Sequence, residues 1–243
     1  MLWNVRSLAK NLKLHFILQT LQDNNIDITC VTESWLPEGH DHTLAILNTF
    51  GFTLSHTVRP NRIKGGGVGF LLKKSIEYKT ISTQIAYSSF EWHGIRLFAN
   101  KVIYRVLCIY RKQEIPIALF LDHLEEFMSV VCRTTSDTIL LTGDFNVHFE
   151  TSDKSSKDLQ DLLLDYGLQQ SVNDPTHIHS HTLDLVFSNP YNLPINTKVN
   201  SQLSVSSSPY IKFDHFPVLF EIPFAQDPPS IHHEKKIHKS YET

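Results

Sequence analysis

Hydrophobic residues in this chain fall into two patterns, short continuous runs and longer stretches with helical spacing. The runs are rich in β-branched and aromatic residues, which favour strands. Few of them alternate with polar residues, which is typical of sheets covered on one face by helices. Strands are therefore predicted at Leu2–Val5, Ile26–Thr32, within Lys64–Lys74, at Val102–Tyr110, from Ile139, at Leu183–Phe187 and at Val218–Ile222.

Three other stretches place apolar residues three and four positions apart, as one face of an amphipathic helix does. The third of these helices is stopped by Gly167, the residue type that commonly follows a helix end. The stretches contain Leu14, Ile17, Leu18 and Leu21, then Phe120, Leu124, Phe127 and Val131, and lastly Leu159–Tyr166.

Strands and helices alternate irregularly, which favours an α/β domain with a mixed sheet over a purely parallel one. With 243 residues, 41% of them hydrophobic, the chain is long enough to bury a large core. The folded domain is predicted to span residues 1–224. Residues 225–243 contain Pro228-Pro229 and a cluster of His and Lys, and we predict that they form a polar, disordered tail.

The composition indicates a soluble intracellular protein. No charged and then apolar leader opens the chain, and no apolar run approaches the roughly 18 residues of a membrane span. Cys30, Cys108 and Cys132 show no paired spacing, and the first two lie in apolar runs, as buried free thiols do. We therefore expect no membrane partner.

Charge is distributed unevenly. The net charge is −3, but the first 112 residues carry 14 Lys and Arg against 7 Asp and Glu, whereas the rest carries 8 against 18. An acidic half repels a polyanion unless some of its carboxylates hold cations, and a basic half can contact phosphates. A plain scatter of solvated charges explains the asymmetry equally well.

The most informative motif is Gly143-Asp144-Phe145-Asn146, directly after the apolar run Ile139–Leu141. Side chains at i and i+2 of an extended segment point to the same side. Asp144 and Asn146 are therefore expected to face one space at the carboxyl end of a strand. A carboxylate beside a carboxamide can orient a water or a metal ion, although Asp, Asn and Gly are also common turn residues.

Comparable polar residues interrupt or end the other predicted strands, where α/β folds place their sites. Carboxylates without nearby cysteine ligands favour magnesium or manganese over zinc. A partly buried Asp such as Asp184 often fixes the orientation of a histidine. For each of these residues taken singly, a structural role is the simpler interpretation. They form a site only if the fold brings them into one cleft. The set is Asn4, Glu33, Tyr110, Asp144, Asn146, Asp184, Asp214 and His215.

Seven short motifs, given in chain order at the end of this paragraph, make the sequence resemble the endonuclease/exonuclease/phosphatase superfamily. Within it, the chain is most similar to the endonuclease domains of LINE-type (non-LTR) retrotransposons, because of the first two motifs and of Asp174–His177 before the sixth. The resemblance covers roughly Leu2–Pro223. The motifs are Trp3–Leu8, Thr32–Leu36, Gly65–Val68, Ile109–Arg111, Gly143–His148, Thr182–Val186 and Asp214-His215.

The resemblance implies a four-layer α/β sandwich, with two mixed sheets face to face and helices outside, that hydrolyses phosphodiesters with Mg²⁺ or Mn²⁺. It implies that Glu33 is the principal metal ligand, with Asn4 beside it and Asp214 completing the metal-side carboxylates. Asp144 is expected to deprotonate the attacking water and Asn146 to position it. Asp184 is expected to hold His215, which donates to phosphoryl oxygens. Tyr110 is expected to contact the phosphate.

Three features of the sequence bear on this resemblance. Arg6 stands where abasic-site relatives often have an acidic residue, which favours the LINE-type branch. Phe213 replaces the Ser that usually precedes the Asp-His pair, and we expect it to shift the metal-side carboxylate. His177, His179 and His181 alternate in a polar segment, but no fourth soft ligand accompanies them, so a loop is favoured over a zinc site.

The leading hypothesis is a monomeric endonuclease that nicks DNA and leaves a 3′-hydroxyl, in the nucleus if it acts on chromosomal DNA. The chain contains no reverse transcriptase. One alternative is a phosphoesterase that acts on RNA or a small phosphoester, and another is a degenerate domain that binds DNA or a protein without cutting. Arg6 and Arg111 are the candidates to contact DNA phosphates. Basic residues favour a polymeric substrate if they share a face with the cleft. These residues are Arg6, Lys10, Lys13, Arg59, Arg62, Lys64 and Arg111.

Overall fold

A computed structural model describes residues 1–57, 65–82, 86–99, 102–132, 137–189, 196–206 and 208–222. The predicted tail lies outside these ranges. The basic candidates Arg59, Arg62 and Lys64 also lie outside them, so their position relative to the cleft stays a prediction.

Twelve strands of the described chain form two mixed sheets. The first sheet has the order β11-β12-β1-β2-β4-β3 and the second has the order β5-β6-β7-β8-β10-β9. The strands are β1 (Leu2–Asn4), β2 (Ile28–Thr32), β3 (Phe52–Thr57), β4 (Val68–Lys73), β5 (Tyr78–Ile81), β6 (Phe90–Ala99), β7 (Val102–Arg111), β8 (Thr138–Asp144), β9 (Gln169–Gln170), β10 (Asp184–Ser188), β11 (Lys198–Val199) and β12 (Val218–Leu219).

Four α-helices accompany the sheets in the described ranges. Three of them confirm the predicted helices, and α4 ends just before Gly167, which adopts a positive φ of 72°. The helices are α1 (Asn11–Asp23), α2 (Asp41–Thr49), α3 (Ile117–Val131) and α4 (Lys154–Asp165).

Buried side chains form three apolar layers, and these define the architecture. One layer, with Leu2, Phe70 and Leu140, lies between the two sheets. A second packs α1 and α2 on the first sheet, and a third packs α3 and α4 on the second. Helix, sheet, sheet and helix therefore follow one another, and the predicted four-layer sandwich is confirmed.

The predicted strands are present, with shifted ends, but some elements were missed. β12 stops at Leu219, so the prediction that this strand continues to Ile222 is wrong. The helix α2 and the strands β3, β5, β6, β9 and β11 were not predicted. Polar residues interrupt the apolar positions of the longer ones, and β9 and β11 have only two residues each. No helix in the described ranges combines the length and the apolar character that a bilayer crossing requires.

A buried histidine connects the two sheets. His93 on β6 of the second sheet places Nε2 2.7 Å from Oγ of Ser55 and Nδ1 2.9 Å from Oγ1 of Thr57, both on β3 of the first sheet. Hydroxyl groups donate or accept, so both contacts suit a neutral imidazole. Burial lowers the pKa of His93 to about 4, because the interior disfavours the charged ring.

This buried ring should make the protein sensitive to acid. Unfolded His93 takes up a proton below its ordinary pKa of 6.5, whereas the folded form stays neutral until about pH 4. Its stabilising contribution is therefore complete above pH 6.5 and is lost as the pH falls from 6.5 towards 4. The unfolding free energy of the parent should fall between pH 7 and pH 5. In His93→Gln we expect this fall to be smaller by about 2 kcal/mol.

Urea denaturation at several pH values checks this expectation, with His15→Gln on the exposed side of α1 as the control for losing a histidine. An unchanged slope of stability against pH in His93→Gln would show that other groups carry the acid sensitivity. Burial also lowers the pKa of His56 to about 4, so the variant should flatten the slope without abolishing it.

Candidate active site

The central strands of the second sheet align three of the predicted site residues. Parallel pairing of β7 with β8 places Tyr110 opposite Asp144. Antiparallel pairing of β8 with β10 places Asp144 opposite Asp184. Tyr110, Asp144 and Asp184 therefore stand in one row across three neighbouring strands.

Gly143 allows β8 to approach β7 closely just before Asp144. Its φ is 149°, and a Cβ there would lie 1.9 Å from the carbonyl oxygen of Ile109. Any other residue would push the strands apart. The Thr-Gly-Asp sequence is thus required by the packing that delivers Asp144 to the end of the sheet.

The expectation that Asp144 and Asn146 share one face of an extended strand is wrong. β8 ends at Asp144, and Asn146 turns into the left-handed region with φ 48°. Its backbone N–H donates to Oδ1 of Asp144 at 3.0 Å, and its Nδ2 donates to the carbonyl of Arg111 at 2.8 Å. Asn146 still lines the cleft, but a tight turn places it there.

Asn4 joins the two sheets at the site. Its side chain is fully buried, and Nδ2 donates to Oε1 of Glu33 at 3.0 Å and to Oδ2 of Asp144 at 2.9 Å. Its Oδ1 accepts from the backbone N–H of Arg6 at 3.2 Å. One carboxamide therefore sets the spacing between a carboxylate next to the first sheet and a carboxylate of the second.

Glu33 is held in a conformation that few non-glycine residues adopt. Its φ is 54°, and the φ of Trp35 is 52°. The indole of Trp35 donates to Oε2 of Glu33 at 2.9 Å. The backbone of this segment is bonded to the glycine-rich turn, and a Cβ on Gly67 would lie 2.3 Å from Oγ of Ser34. Strained backbone of this kind persists only where its surroundings fix it.

Asp184 and His215 form a buried pair beside Asp144. Oδ2 of Asp184 lies 2.7 Å from Nδ1 of His215. Thr176 holds the start of β10, because its Oγ1 accepts from the N–H groups of Leu183 and Asp184 at 3.0 Å each. The carbonyl of His215 accepts from the indole of Trp3 at 3.3 Å.

Burial and neighbouring charges shift the pKa values of Asp144 and His215, and both values are raised. Burial raises the pKa of Asp144 above its ordinary range, and the neighbouring charge of Asp184 raises it further. Burial acts to lower the pKa of His215, but the charge and hydrogen bond of Asp184 outweigh it, so the pKa of His215 is raised. The pair with Asp184 therefore favours the protonated form of His215.

Arg6 and Asp214 form an ion pair at the mouth of the cleft. Arg6 adopts a positive φ of 43°, and its guanidinium lies 5.9 Å from the centroid of the Trp35 ring. Phe213 stacks on Trp3, with ring centroids 4.5 Å apart. Phe213 thus has its own place in the packing under the site, and Asp214 remains at the cleft.

Arg111 does not have the position predicted for a phosphate ligand. Only 6% of its surface is exposed, and its guanidinium donates to the carbonyls of Asn146 at 2.9 Å and Ile115 at 2.6 Å. Its charge supports the loop that follows Asp144. Lys13 is also buried, with Nζ 4.2 Å from the centroid of the Phe213 ring. Of the described basic candidates, Arg6 is the one that lines the cleft.

The alternating histidines have different environments. His177 pairs with His215 in an isolated bridge, and their rings are 4.8 Å apart. His181 instead contacts Glu150 and the ring of His148. All three histidines and His148 line the cleft, which has a volume of about 430 Å³. The prediction of a plain polar loop missed this, although His148 lies only two residues after Asn146 in the central motif.

The donor set of the cleft fits a divalent cation. Carboxylate oxygens of Asp144 and Asp184 and a ring nitrogen of His215 lie within 4.8 Å of one another. Because a protonated ring has no lone pair for a metal, the carboxylates are the candidate ligands. Among the described residues, Oδ1 of Asp184 and Oδ1 of Asp214 are buried without a hydrogen-bond partner. Crowded carboxylates with unsatisfied oxygens repel each other unless a cation or proton joins them. A larger cavity of about 630 Å³ lies at the opposite ends of β1, β2 and β8, around Met1, Ile28 and Leu140.

The two-sheet sandwich thus places carboxylates and an imidazole together at its strand ends. The profile of the Endonuclease/Exonuclease/phosphatase family matches residues 1–206, and the chain belongs to this family. The predicted family resemblance is therefore confirmed. No curated protein matches the chain.

Solved structures with this fold cover nearly the whole chain at low identity. The endonuclease domain of TRAS1, a telomere-specific non-LTR retrotransposon, is 12% identical with a TM-score of 0.69, covering 93% of this chain and 98% of that one. An AP endonuclease from Archaeoglobus fulgidus is 15% identical (TM-score 0.69; 91% and 98% covered). The 3′ phosphatase NExo from Neisseria, bound to a product DNA hairpin, is 18% identical (TM-score 0.62; 92% and 98%). These likenesses establish the fold.

The bridging role of Asn4 predicts a large effect for Asn4→Asp. The substitution adds a buried carboxylate between Glu33 and Asp144 and removes both donated hydrogen bonds. In EDTA we expect a loss of unfolding free energy on the order of 3 kcal/mol, because the new charge is unpaired. Excess Mn²⁺ should recover part of that loss.

Chemical denaturation with and without metal measures both effects, and Asn11→Asp in the exposed first turn of α1 is the matched control. If Asn4→Asp were as stable as the parent in EDTA, the carboxamide would not be the link between the two carboxylates.

Proposed function

We propose that this chain is a metal-dependent phosphodiester hydrolase that nicks DNA and leaves a 3′-hydroxyl. The observation that carries the proposal is the continuous set of contacts in the cleft. Glu33, Asn4 and Asp144 are joined by hydrogen bonds, and Asp184 with His215 stands directly beside them. These groups provide a base, an imidazolium and metal-side carboxylates in one place.

Asp144 is the general base of this proposal. A base works best when its pKa approaches the operating pH, and burial beside Asp184 moves the pKa of Asp144 in that direction. Asn4 and the N–H of Asn146 fix one hydrogen bond to each carboxylate oxygen. The carboxylate is thus oriented before a water arrives, and Asn146 helps to place that water.

His215 supplies positive charge where the reaction builds negative charge. Water oxygen bonds to phosphorus as the bond from phosphorus to the 3′ oxygen breaks, and one water proton passes to Asp144. The 3′ oxygen leaves and takes a proton from solvent water to become the hydroxyl, and Asp144 returns its proton to solvent. An imidazolium held by Asp184 donates to a phosphoryl oxygen throughout, and Tyr110, from the same row of the sheet, contacts the phosphate.

Glu33 and Asp214 are the carboxylates that would hold Mg²⁺ or Mn²⁺, with Asn4 beside them as the residue that orients Glu33. The bound ion would neutralise charge on the phosphoryl group, which is the chemistry that carboxylate-ligated divalent cations supply in such sites. Oxygen ligands favour these ions over zinc at this position.

DNA is the proposed substrate because Arg6 lines the cleft and its guanidinium lies 5.9 Å from the ring of the half-buried Trp35. An arginine beside an indole can contact a phosphate while the ring packs against a sugar or base. The TRAS1 domain and the archaeal AP endonuclease share the fold. A phosphatase of this fold is also known, so a small phosphomonoester is the alternative substrate to test.

The direct test is nicking of supercoiled plasmid by the purified chain. Relaxed circles should form with Mg²⁺ or Mn²⁺ and not with EDTA. Asp144→Asn should lower the nicking rate at least about 100-fold, since it removes the general base. Asp158→Asn, the same change on the exposed side of α4, should nick like the parent.

Mapping the cut ends by primer extension checks the second half of the proposal, because a polymerase extends only a 3′-hydroxyl. A folded chain that leaves plasmid intact with either metal contradicts DNA nicking. Release of phosphate from a sugar phosphate by the same preparation would then identify the phosphomonoesterase alternative.

Arg6 should contribute to DNA binding through charge. In the Asp144→Asn background, Arg6→Ala should weaken binding of a labelled duplex and reduce the slope of log affinity against log salt by about 0.9, the effect of one lost phosphate contact. Lys74→Ala, an exposed lysine at the end of β4, is the control. If the parent and Arg6→Ala gave equal slopes of log affinity against log salt, Arg6 would pair with Asp214 and contact no phosphate.

A further inference from the structure

Beside the proposed catalytic residues, two loops bring together two imidazoles and a carboxylate. His148 and Glu150 follow the central motif, with Glu150 in the 3₁₀ turn Phe149–Thr151, and His181 comes shortly before β10. Oε1 of Glu150 lies 2.7 Å from Nδ1 of His181 and 3.4 Å from Nδ1 of His148. The rings of His148 and His181 have centroids 4.0 Å apart.

We propose that His148, Glu150 and His181 form a second metal site, selective for Zn²⁺ and separate from the carboxylates assigned to Mg²⁺. Two nitrogens and one oxygen are a ligand set found in zinc sites that keep an open position. Bonds near 2.0 Å in a tetrahedron place neighbouring ligand atoms roughly 3.3 Å apart, and the two observed separations lie on either side of that value.

The three ligand atoms lie close together and point to one space, which a chance cluster of surface residues need not do. All lie within 4.8 Å of one another, and each histidine presents the same ring nitrogen. Imidazole ligands suit zinc and other transition metals, whereas Mg²⁺ takes oxygen ligands. The ligand chemistry therefore separates this site from the Glu33 and Asp214 side of the cleft.

Supporting bonds already hold the ligands in place. The second oxygen of Glu150 accepts from the backbone N–H of Thr182 at 2.9 Å, so the carboxylate is oriented from behind. The N–H of Phe149 donates to the carbonyl of Thr182 at 3.2 Å. Oγ1 of Thr151 donates to the carbonyl of His148 at 2.7 Å. The two loops are thus joined before any ion binds.

The neighbouring His177 is committed elsewhere. Nδ1 of His177 accepts from the N–H of His179 at 3.3 Å, and the ring of His177 packs on that of His215. The proposed ligands are partly exposed, with 43% of the His148 side chain and 35% of the His181 side chain accessible. An ion can therefore enter from solvent through the cleft that these two histidines line.

A metal here would join the loop after Asp144 to the segment before Asp184. These two carboxylates are direct partners on β8 and β10, so the ion would fix the geometry of the acidic row from its open end. The proposal does not rest on DNA cleavage, because a folded chain without nuclease activity would still bind the metal.

The test is metal stoichiometry, measured on chelator-stripped protein by Zn²⁺ titration against a chromophoric competitor in excess Mg²⁺. One Zn²⁺ per chain should bind to the parent. His181→Ala should weaken that binding at least about 100-fold, since loss of a ligand exceeds the effect of losing a supporting group. His148→Ala should do the same, and His179→Ala, a matched exposed histidine, should bind as the parent does.

A second series distinguishes this site from the catalytic cleft. Asp144→Asn should retain the Zn²⁺. Co²⁺ in its place should give the intense visible bands of tetrahedral coordination in the parent, in His179→Ala and in Asp144→Asn, and not in His148→Ala or His181→Ala. Circular dichroism verifies folding of each variant. The proposal fails if the parent retains no Zn²⁺ in excess Mg²⁺, if His181→Ala binds equally well, or if Asp144→Asn alone abolishes binding.

Discussion

The site depends on one buried carboxamide that spans the two sheets. Asn4 ends β1 of the first sheet, yet its amide nitrogen bonds to Asp144 at the end of β8 in the second and to Glu33 at the end of β2. A buried polar group without partners is costly, so these bonds fix how the sheets meet at this edge. The apolar layer around Leu2 and Leu140 sets the distance between the sheets. Because Asn4 bonds to both Glu33 and Asp144, it fixes the separation of these two carboxylates.

Electrostatic compensation explains why acidic groups tolerate such crowding. Asp184 is buried next to Asp144, but His215 carries the opposing charge, and Asp214 is paired with Arg6. Each cation is also usable by a phosphate, because an incoming anion can share the imidazolium of His215 or draw Arg6 from Asp214. His215 and Arg6, which stabilise the free protein by pairing with carboxylates, are therefore the cations that a phosphodiester would contact. Substrate binding and the stability of the fold would then depend on the same two residues.

The sequence allowed residue types and strand ends to be predicted, because buried runs end where polar side chains begin. It predicted Asn4, Glu33, Asp144, Asp184 and His215 at one edge, and the structure brings them together. It could not reveal backbone reversal at Asn146, because an i, i+2 argument assumes that the strand continues. Arg111 was misjudged since no local pattern shows that two carbonyls capture its guanidinium. Glu150 and Thr176 were missed because their partners are distant in sequence.

Backbone strain shows how the cleft is kept ready for its substrate. Arg6, Glu33 and Asn146 all have positive φ, a conformation that costs each of them about 1 kcal/mol or more. Backbone bonds from Ser7 to Glu33 and from Ser34 to Gly67 hold the first two, and Arg111 holds the third. Because neighbouring elements fix these turns, their side chains are oriented before binding, and little ordering remains when a phosphate arrives. The strain is thus offset by the packing of the surrounding loops, which makes the glycine-rich turn, bonded to Ser34 and Trp35, part of the site's support.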